Sequence, residues 1–201
     1  MAIPIIEKLR IPLSRLFAIA LLIVILFSES KWDESIIELV LFAGGCFLVA
    51  IASLGRLWCS LYIAGYKTDT LITQGPYSMC RHPLYFLSFL GALGVGLATE
   101  TLLIPLIILI GFGLYYPYIM RSEEADLLQR HGDVYRSYRD ATPLFFPNLS
   151  MLQEPQSYTV NTQIFRQHIF DALWFIWLIG IMEIIEGFHK LGIIPTILKV
   201  Y

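Results

Sequence analysis

Charge is what this sequence has least of. Asp, Glu, Lys and Arg make up only 15% of its 201 residues, where an average soluble domain carries about 25%. With 57% hydrophobic residues and a mean hydropathy of +0.67, a water-soluble domain of this length could not hide its apolar surface. An ordinary soluble globule and a disordered chain are both excluded, and an integral membrane protein is indicated. No sign of charge is in excess either. The net charge of −2 offers no global field to attract nucleic acid, so no nucleic-acid partner is expected. Cysteine is scarce: Cys46, Cys59 and Cys80 form an odd, scattered set without a Cys-x-x-Cys pair. Neither a disulfide framework nor a metal site is expected. The phosphate loop, His-Glu-x-x-His and Gly-x-Ser-x-Gly motifs are missing too. Gly91, Gly94 and Gly96 superficially resemble a dinucleotide loop, but no strand precedes them. Small-residue helix packing explains them better, and the same reading extends to Gly44, Gly45, Gly111 and Gly113. Cys46 reads as a small apolar filler within a span.

Apolar runs are abundant. A membrane-spanning helix needs roughly 20 mainly apolar residues, with about 17 as the lower limit. Ile11–Phe27 holds twelve uninterrupted apolar residues from Leu16 onward. Leu39–Gly55, Leu84–Thr99 and Thr101–Met120 are free of charge, and only Glu100 separates the last two. These are four spans, the last pair a tight helical hairpin. A fifth stretch, Ile169–Phe188, is interrupted by Asp171, Glu183 and Glu186. It either spans the membrane or lies in the interface with Trp174 and Trp177 at headgroup level. Met1–Phe27 has a basic start but no small-x-small cleavage site after Phe27, so a retained first span is expected rather than a signal peptide.

With a cytoplasmic N-terminus, eleven of the fourteen Lys and Arg residues fall inside: Lys8, Arg10, Arg15, Arg56, Lys67, Arg81, Arg121, Arg130, Arg136, Arg139 and Arg166. Lys31, Lys190 and Lys199 fall outside, and the first outside loop is acidic (Glu29, Asp33, Glu34). The positive-inside asymmetry therefore puts the two longest polar segments, about 56–82 and 121–166, on one cytoplasmic face. Strand signals are sparse. The expected architecture is all-α and integral to the membrane, with four to five transmembrane helices and a cytoplasmic cleft. Residues 1–150 form the core; 151–201 form a C-terminal appendage joined through the polar stretch Gln153–Thr162.

Two polar segments can carry chemistry. From Ser122, a plausible N-cap, the residues Glu124, Leu128, His131, Tyr135 and Tyr138 follow a 4-3-4-3 spacing, one stripe of a helix. Leu127 widens it, while Asp126, Gln129, Arg130 and Asp133 take other faces. An amphipathic surface helix accounts for most of this. Glu124, however, heads the apolar stripe, and a carboxylate aimed at apolar surroundings needs a partner or a ligand. The other segment runs Gln74-Gly75-Pro76-Tyr77 to Arg81-His82-Pro83-Leu84-Tyr85. Gly-Pro marks a turn, and Pro83 suits the first position of a helix while discouraging helix at His82. Arg81 and His82 thus sit where a loop meets a span. A snorkelling arginine and an interfacial histidine are the alternative, but the cluster is denser than snorkelling requires. Glu183 and Glu186 are placed at an aqueous helix end, because burying them in lipid is costly.

Taken together, these residues resemble a known family. Gly75-Pro76-Tyr77-x3-Arg81-His82-Pro83-x-Tyr85 resembles the cofactor motif of the isoprenylcysteine carboxyl methyltransferases, relatives of the phospholipid N-methyltransferases. Glu123-Glu124-x2-Leu127, Gly132-x2-Tyr135-x2-Tyr138 and Thr142-Pro143-x-Phe145-x-Pro147 follow in order. Upstream, Leu54-Gly55-x2-Trp58-x-Ser60 resembles the family's Leu-Gly-x-x-Trp-Ser region with one extra residue. The likeness runs from about Leu54 to Pro147.

The resemblance implies a small membrane enzyme that uses S-adenosylmethionine and methylates a lipophilic small molecule or a lipidated acceptor. It implies a cofactor cleft lined by Gln74, Gly75, Tyr77, Arg81, His82 and Tyr85, and closed by Glu123 and Glu124. Tyr135 and Tyr138 either bound that cleft or pack in the core. Members acting on prenylcysteine often carry an arginine about four residues before the first glutamate. Here Ile119 holds that place, and Arg121 lies two residues on. Glu123 and Arg121 are the candidate catalytic residues. His131 stands where phenylalanine is common, and the chain beyond Pro147 has no counterpart in the shortest members. A multi-pass protein of a bacterial inner membrane is expected, in preference to the endoplasmic reticulum. Two other readings remain: a sterol-type reductase using NADPH, and a non-enzymatic membrane scaffold.

Overall fold

The computed structural model describes residues 5–32, 35–66 and 70–201, with residues 5–11 described as backbone alone. Asp33, Glu34 and Lys67, and the side chains of Lys8 and Arg10, all used in the orientation argument, lie outside the described residues. Among the described residues, six helices follow in order: α1 (Ile5–Leu26), α2 (Ile36–Ile63), α3 (Pro76–Met79), α4 (Pro83–Leu97), α5 (Leu103–Ala141) and α6 (Thr162–Lys190). A 3-10 turn covers Leu149–Met151. Two short strands, β1 (Ser28–Ser30) and β2 (Leu198–Val200), pair in parallel with Ser28 opposite Leu198. The chain is an all-α multi-pass membrane protein, as the apolar runs demand.

Among the described residues, α2, α5 and α6 are long and apolar enough to cross a membrane; α4 and the apolar part of α1, Pro12–Leu26, are shorter. The 15 residues of α4 reach only about 22 Å, short of a hydrocarbon layer of about 30 Å. Side chains such as Phe47, Leu54, Leu114 and Trp177 face outward, the lipid-facing pattern of helices that are apolar all round. The core lies where Ile25, Val49, Val95, Ile104, Ile108, Met182 and Ile185 meet, drawing on five helices.

Glycine lets α2 and α4 touch backbone to backbone. A Cβ on Gly45 would lie 2.5 Å from the Gly94 carbonyl oxygen, and one on Gly94 would lie 2.7 Å from that of Gly45. Gly91 makes room for Phe175, Gly96 for Ile108 and Gly111 for Phe17. The packing reading therefore holds for these five and fails for Gly44 and Gly113, whose missing side chains face open space.

Three boundaries differ from the sequence reading. First, α2 does not stop at Gly55; it continues to Ile63 because Leu57–Ile63 is apolar and holds no breaker, so Arg56 sits two turns inside a helix. Second, Ser122 is not an N-cap. The third difference follows from that one: the span 101–120 and the Glu-Glu helix are one helix, α5, interrupted at Gly132 (φ 55°, ψ −126°). No proline or glycine separates Met120 from Ser122, so the helix leaves the apolar layer and continues as a polar-edged rod. The connector 153–162 is no free linker either. Gln153 bridges to Gly75, and the Tyr158 hydroxyl donates to the Tyr62 carbonyl at 2.8 Å.

Candidate functional site

The loop before α4 is built around Gly75, the N-cap of α3. Its φ of +59° suits glycine, and a Cβ there would fall 2.3 Å from the Tyr62 ring. Its backbone N–H donates to the Gln153 carbonyl at 2.8 Å. Ser78 completes the clamp: its hydroxyl donates to the Gly75 carbonyl at 2.6 Å and accepts from the Gln153 N–H at 2.9 Å. The backbone N–H of Arg81 donates to Pro143 O at 2.8 Å, and Asn148 N–H to Met79 O at 3.0 Å. The segment after α5 thus straps the loop from behind. Pro83 takes the first helical position of α4, and His82, its N-cap, turns away from helical geometry (φ −123°, ψ 57°).

The polar half of α5 approaches this loop with the expected residues turned inward, but the non-helical Gly132 separates His131 from Tyr135, so they do not form one continuous helical stripe. Tyr135 is buried, while Asp126, Gln129, Arg130 and Asp133 are exposed. The Tyr138 hydroxyl donates to the Tyr77 carbonyl at 2.7 Å. The two tyrosines divide the alternatives left open by the sequence: Tyr135 packs inside, and Tyr138 lines the cavity described below.

Four charged or polar groups meet at the junction. Arg81 Nε lies 3.0 Å from Glu124 Oε1, and His82 Nε2 lies 3.4 Å from the same oxygen. His82 Nδ1 is 3.8 Å from Glu123 Oε2, beyond hydrogen-bond reach. Nε of Arg81 does not aim its N–H along a good hydrogen-bond line to Glu124, so that attraction is mainly Coulombic. Arg81 also donates through Nη1 to the Arg139 carbonyl at 3.0 Å. The two glutamates part company here. The Glu123 side chain is 38% exposed and lines the cavity, while that of Glu124 is 17% exposed and stands behind Arg81 and His82.

Burial alone would push the Glu124 carboxyl up. Contact with His82 and the charge of Arg81 outweigh it and hold the carboxyl below the ordinary range. A depressed value means that this carboxylate's stabilisation is present above the ordinary value of 4.5 and is lost as pH falls from there through the lowered one. The melting-temperature advantage of the wild type over Glu124→Gln is therefore expected to shrink as pH falls below the ordinary carboxyl value of 4.5. Thermal melts in detergent check this, and a gap that stays constant contradicts it. Burial pushes the Cys80 thiol up to about 12, so it is not a nucleophile at neutral pH. Burial likewise pushes the Tyr77 phenol well up.

These groups border a cavity of about 450 Å³, within the usual range of small-molecule sites. Tyr77, Arg81, His82, Tyr85, Glu123 and Tyr138 line its polar side; Ile63, Leu84, Ile119 and Leu127 line its apolar side. Of the residues singled out from the sequence, Gly75 shapes the loop and Glu124 backs the charges without lining the space. Gln74 and Arg121 are exposed and outside the lining, and His131 is absent from it. The sequence reading missed Arg56, Ser88 and Tyr116, which also line it. The signal was a lone cation in a run that is apolar on both sides.

The family model for isoprenylcysteine carboxyl methyltransferases (ICMT) matches residues 36–129. The cobalt-zinc-cadmium resistance protein CzcN of Cupriavidus metallidurans is 38% identical over 188 residues, covering 94% of this chain and 87% of that protein. The nickel-cobalt-cadmium resistance protein NccN of Alcaligenes xylosoxydans xylosoxydans is 37% identical over 187 residues, covering 93% and 87%. The protein-S-isoprenylcysteine O-methyltransferase of Schizosaccharomyces pombe is 31% identical over 81 residues, 40% of this chain and 34% of that enzyme. No solved structure matches. The matched region carries both the Arg-His-Pro loop and the paired glutamates, and the chain belongs to the isoprenylcysteine carboxyl methyltransferase family.

Proposed function

We propose that this protein is a membrane-embedded methyltransferase that uses S-adenosylmethionine to methylate a lipophilic acceptor at the cytoplasmic face. The observation that carries the reading is the meeting of Arg81, His82 and Glu123 on one cavity, from two stretches some forty positions apart. The residues suit the cofactor. Arg81 and His82 offer a cation and donors for its carboxylate. Glu123 offers an acceptor for its ammonium or ribose hydroxyls. Tyr77 and Tyr85 bring aromatic rings to the wall where a sulfonium would gain from π-faces.

When bound, the cofactor supplies a methyl group on a positively charged sulfur, ready for in-line displacement by an oxygen or nitrogen nucleophile. The protein's part is to hold two reactants in line and exclude water, an effect that supplies about 7–11 kcal/mol in well-oriented systems. A carboxylate acceptor needs no general base. For an amine acceptor, Glu123 or His82, both of which line the cavity, takes the proton. Arg121 is exposed and outside the cavity and receives no role in it.

We place the N-terminus in the cytoplasm on the Lys and Arg distribution and keep the count at four to five membrane helices, with α2, α5 and α6 the ones long enough to cross unaided. We assign residues 1–150 to the catalytic core and 151–201 to an appendage, in a bacterial inner membrane. The test is incubation of purified protein with methyl-labelled S-adenosylmethionine and a native lipid extract. A labelled lipophilic product is expected. A protein that binds NADPH, and from which no label leaves the cofactor, overturns the reading.

A further inference from the structure

The turn between α4 and α5 lies at the far end of the bundle from the candidate site. α4 runs from Pro83 to this turn, and α5 runs from it toward the paired glutamates. Glu100, within the turn, has a φ of +57°, a left-handed conformation that a residue with a Cβ keeps only when its neighbours hold it there. Two contacts hold it. The Ser30 hydroxyl donates to the Glu100 carbonyl at 3.1 Å, and the Leu103 N–H donates to the Tyr201 carbonyl at 3.0 Å. Ser30 and Tyr201 belong to one unit. β1 pairs with β2, the Ile197 and Leu198 N–H groups both donate to the Phe27 carbonyl at 3.0 Å, and the Lys31 N–H donates to the Val200 carbonyl at 2.9 Å. Trp32 packs edge-on against the Tyr201 ring with centroids 5.1 Å apart, and Lys31 Nζ sits 4.7 Å from that ring's centre. Residues 196–201 are thus a strap that ties β1 to the Glu100 turn.

A cavity of about 210 Å³ adjoins the turn. Glu29 of β1, Glu38 of α2, Glu100 and Glu186 of α6 line it, against His189 and Lys190 of α6. The carboxylates are unequally matched. Glu186 pairs with Lys190, while Glu29 has Lys199 at 3.8 Å and accepts from the Thr196 hydroxyl at 3.0 Å. The His189 ring is engaged with the Leu26 carbonyl at 3.0 Å. Among the described residues, no cation lies within ion-pair distance of Glu38 or Glu100. A half-buried carboxyl that faces like charges is neutralised most readily by a proton. Burial, followed by the charges of Glu186 and Glu38, outweighs Lys190 and, with Glu183 adding to the repulsion, pushes the Glu100 carboxyl up to about 7.

We propose that the Glu100 turn is a proton-controlled latch: with its carboxyl protonated the turn and the strap stay closed, and with the proton lost, repulsion from Glu38 and Glu186 opens them. The sign follows from linkage. A carboxyl whose folded value lies above the ordinary 4.5 favours the closed form at low pH, and that advantage is lost progressively as pH rises from 4.5 through about 7. Opening lets Glu100 leave its left-handed conformation and releases the strap's hold on Leu103. The latch stands apart from the methyltransferase reading, because none of the residues lining its cavity lines the cofactor cavity.

Hydrogen–deuterium exchange on the full chain in detergent, corrected for the intrinsic pH dependence of amide exchange, tests it. Protection of the Lys31, Leu103 and Leu198 amides is expected to fall about tenfold between pH 6 and pH 8 and then to level off. Glu100→Gln is expected to keep its pH 6 protection at pH 8. Should that variant fail to fold, Glu38→Gln removes one of the facing charges, and a smaller fall over the same interval is expected. Equal protection of the wild type at both pH values overturns the proposal. So does a fall that survives in Glu100→Gln, or one that His189→Gln abolishes, which would hand the switch to the imidazole. An equal loss of protection along the whole of α2 and α5 also overturns it, because the event would then be global unfolding and not the release of a latch.

Discussion

Arg81→Ala is expected to weaken binding of S-adenosylmethionine by about 2–4 kcal/mol, roughly 30- to 1,000-fold in Kd. Two losses add. The cavity loses a guanidinium from its polar side, and Glu124 loses its arginine partner. Arg81→Lys restores a charge but not the fork that reaches Glu124 through Nε and the Arg139 carbonyl through Nη1, so partial rescue is expected. Calorimetric titration of detergent-purified variants checks both. Wild-type affinity in Arg81→Ala would remove the arginine from the cofactor site.

Gly75→Ala is expected to cost about 3 kcal/mol and to take cofactor affinity with it. The position needs a positive φ, and the new methyl would overlap the Tyr62 ring at 2.3 Å. That ring has little room to retreat, since Tyr158 packs against it with centroids 4.7 Å apart. Relief must come from the loop itself, which carries Tyr77 and Arg81 at one end and the Gln153 bridge at the other. Thermal unfolding reads the stability change and cofactor titration reads the displaced loop. An unaltered melting temperature would show that the loop is not locked by this contact. The same substitution at Gly132, which also has a positive φ but meets open space, would bear the conformational part alone.

How far the sequence carries depends on whether a property is local. The Gly-Pro turn and Pro83 at the start of α4 follow from short-range rules, and the structure contains both. Helix ends in apolar surroundings were harder to read. Hydropathy stops a span at the first charge, whereas backbone hydrogen bonding continues past Arg56 and past Arg121 because no residue there opposes a helix. That is why Arg56 reads as a loop charge in the sequence and as a half-buried cation within a helix in the fold. The division of labour between Glu123 and Glu124 was also invisible. Adjacent helical residues point about 100° apart, and only the approach of the Arg81 loop decides which of the two faces the cavity. The packing role of Gly44 and Gly113 failed for a similar reason: composition does not say which side of a helix meets a neighbour.

The central claim is that the loop before α4 and the polar half of α5 together hold an adenosyl sulfonium donor. Equilibrium binding of labelled S-adenosylmethionine to the purified wild-type protein, with NADPH as competitor, tests it most directly. One saturable site per chain, indifferent to NADPH and weakened by Arg81→Ala, is the result the account predicts. No saturable binding, or binding that NADPH displaces and Arg81→Ala leaves unchanged, would contradict it.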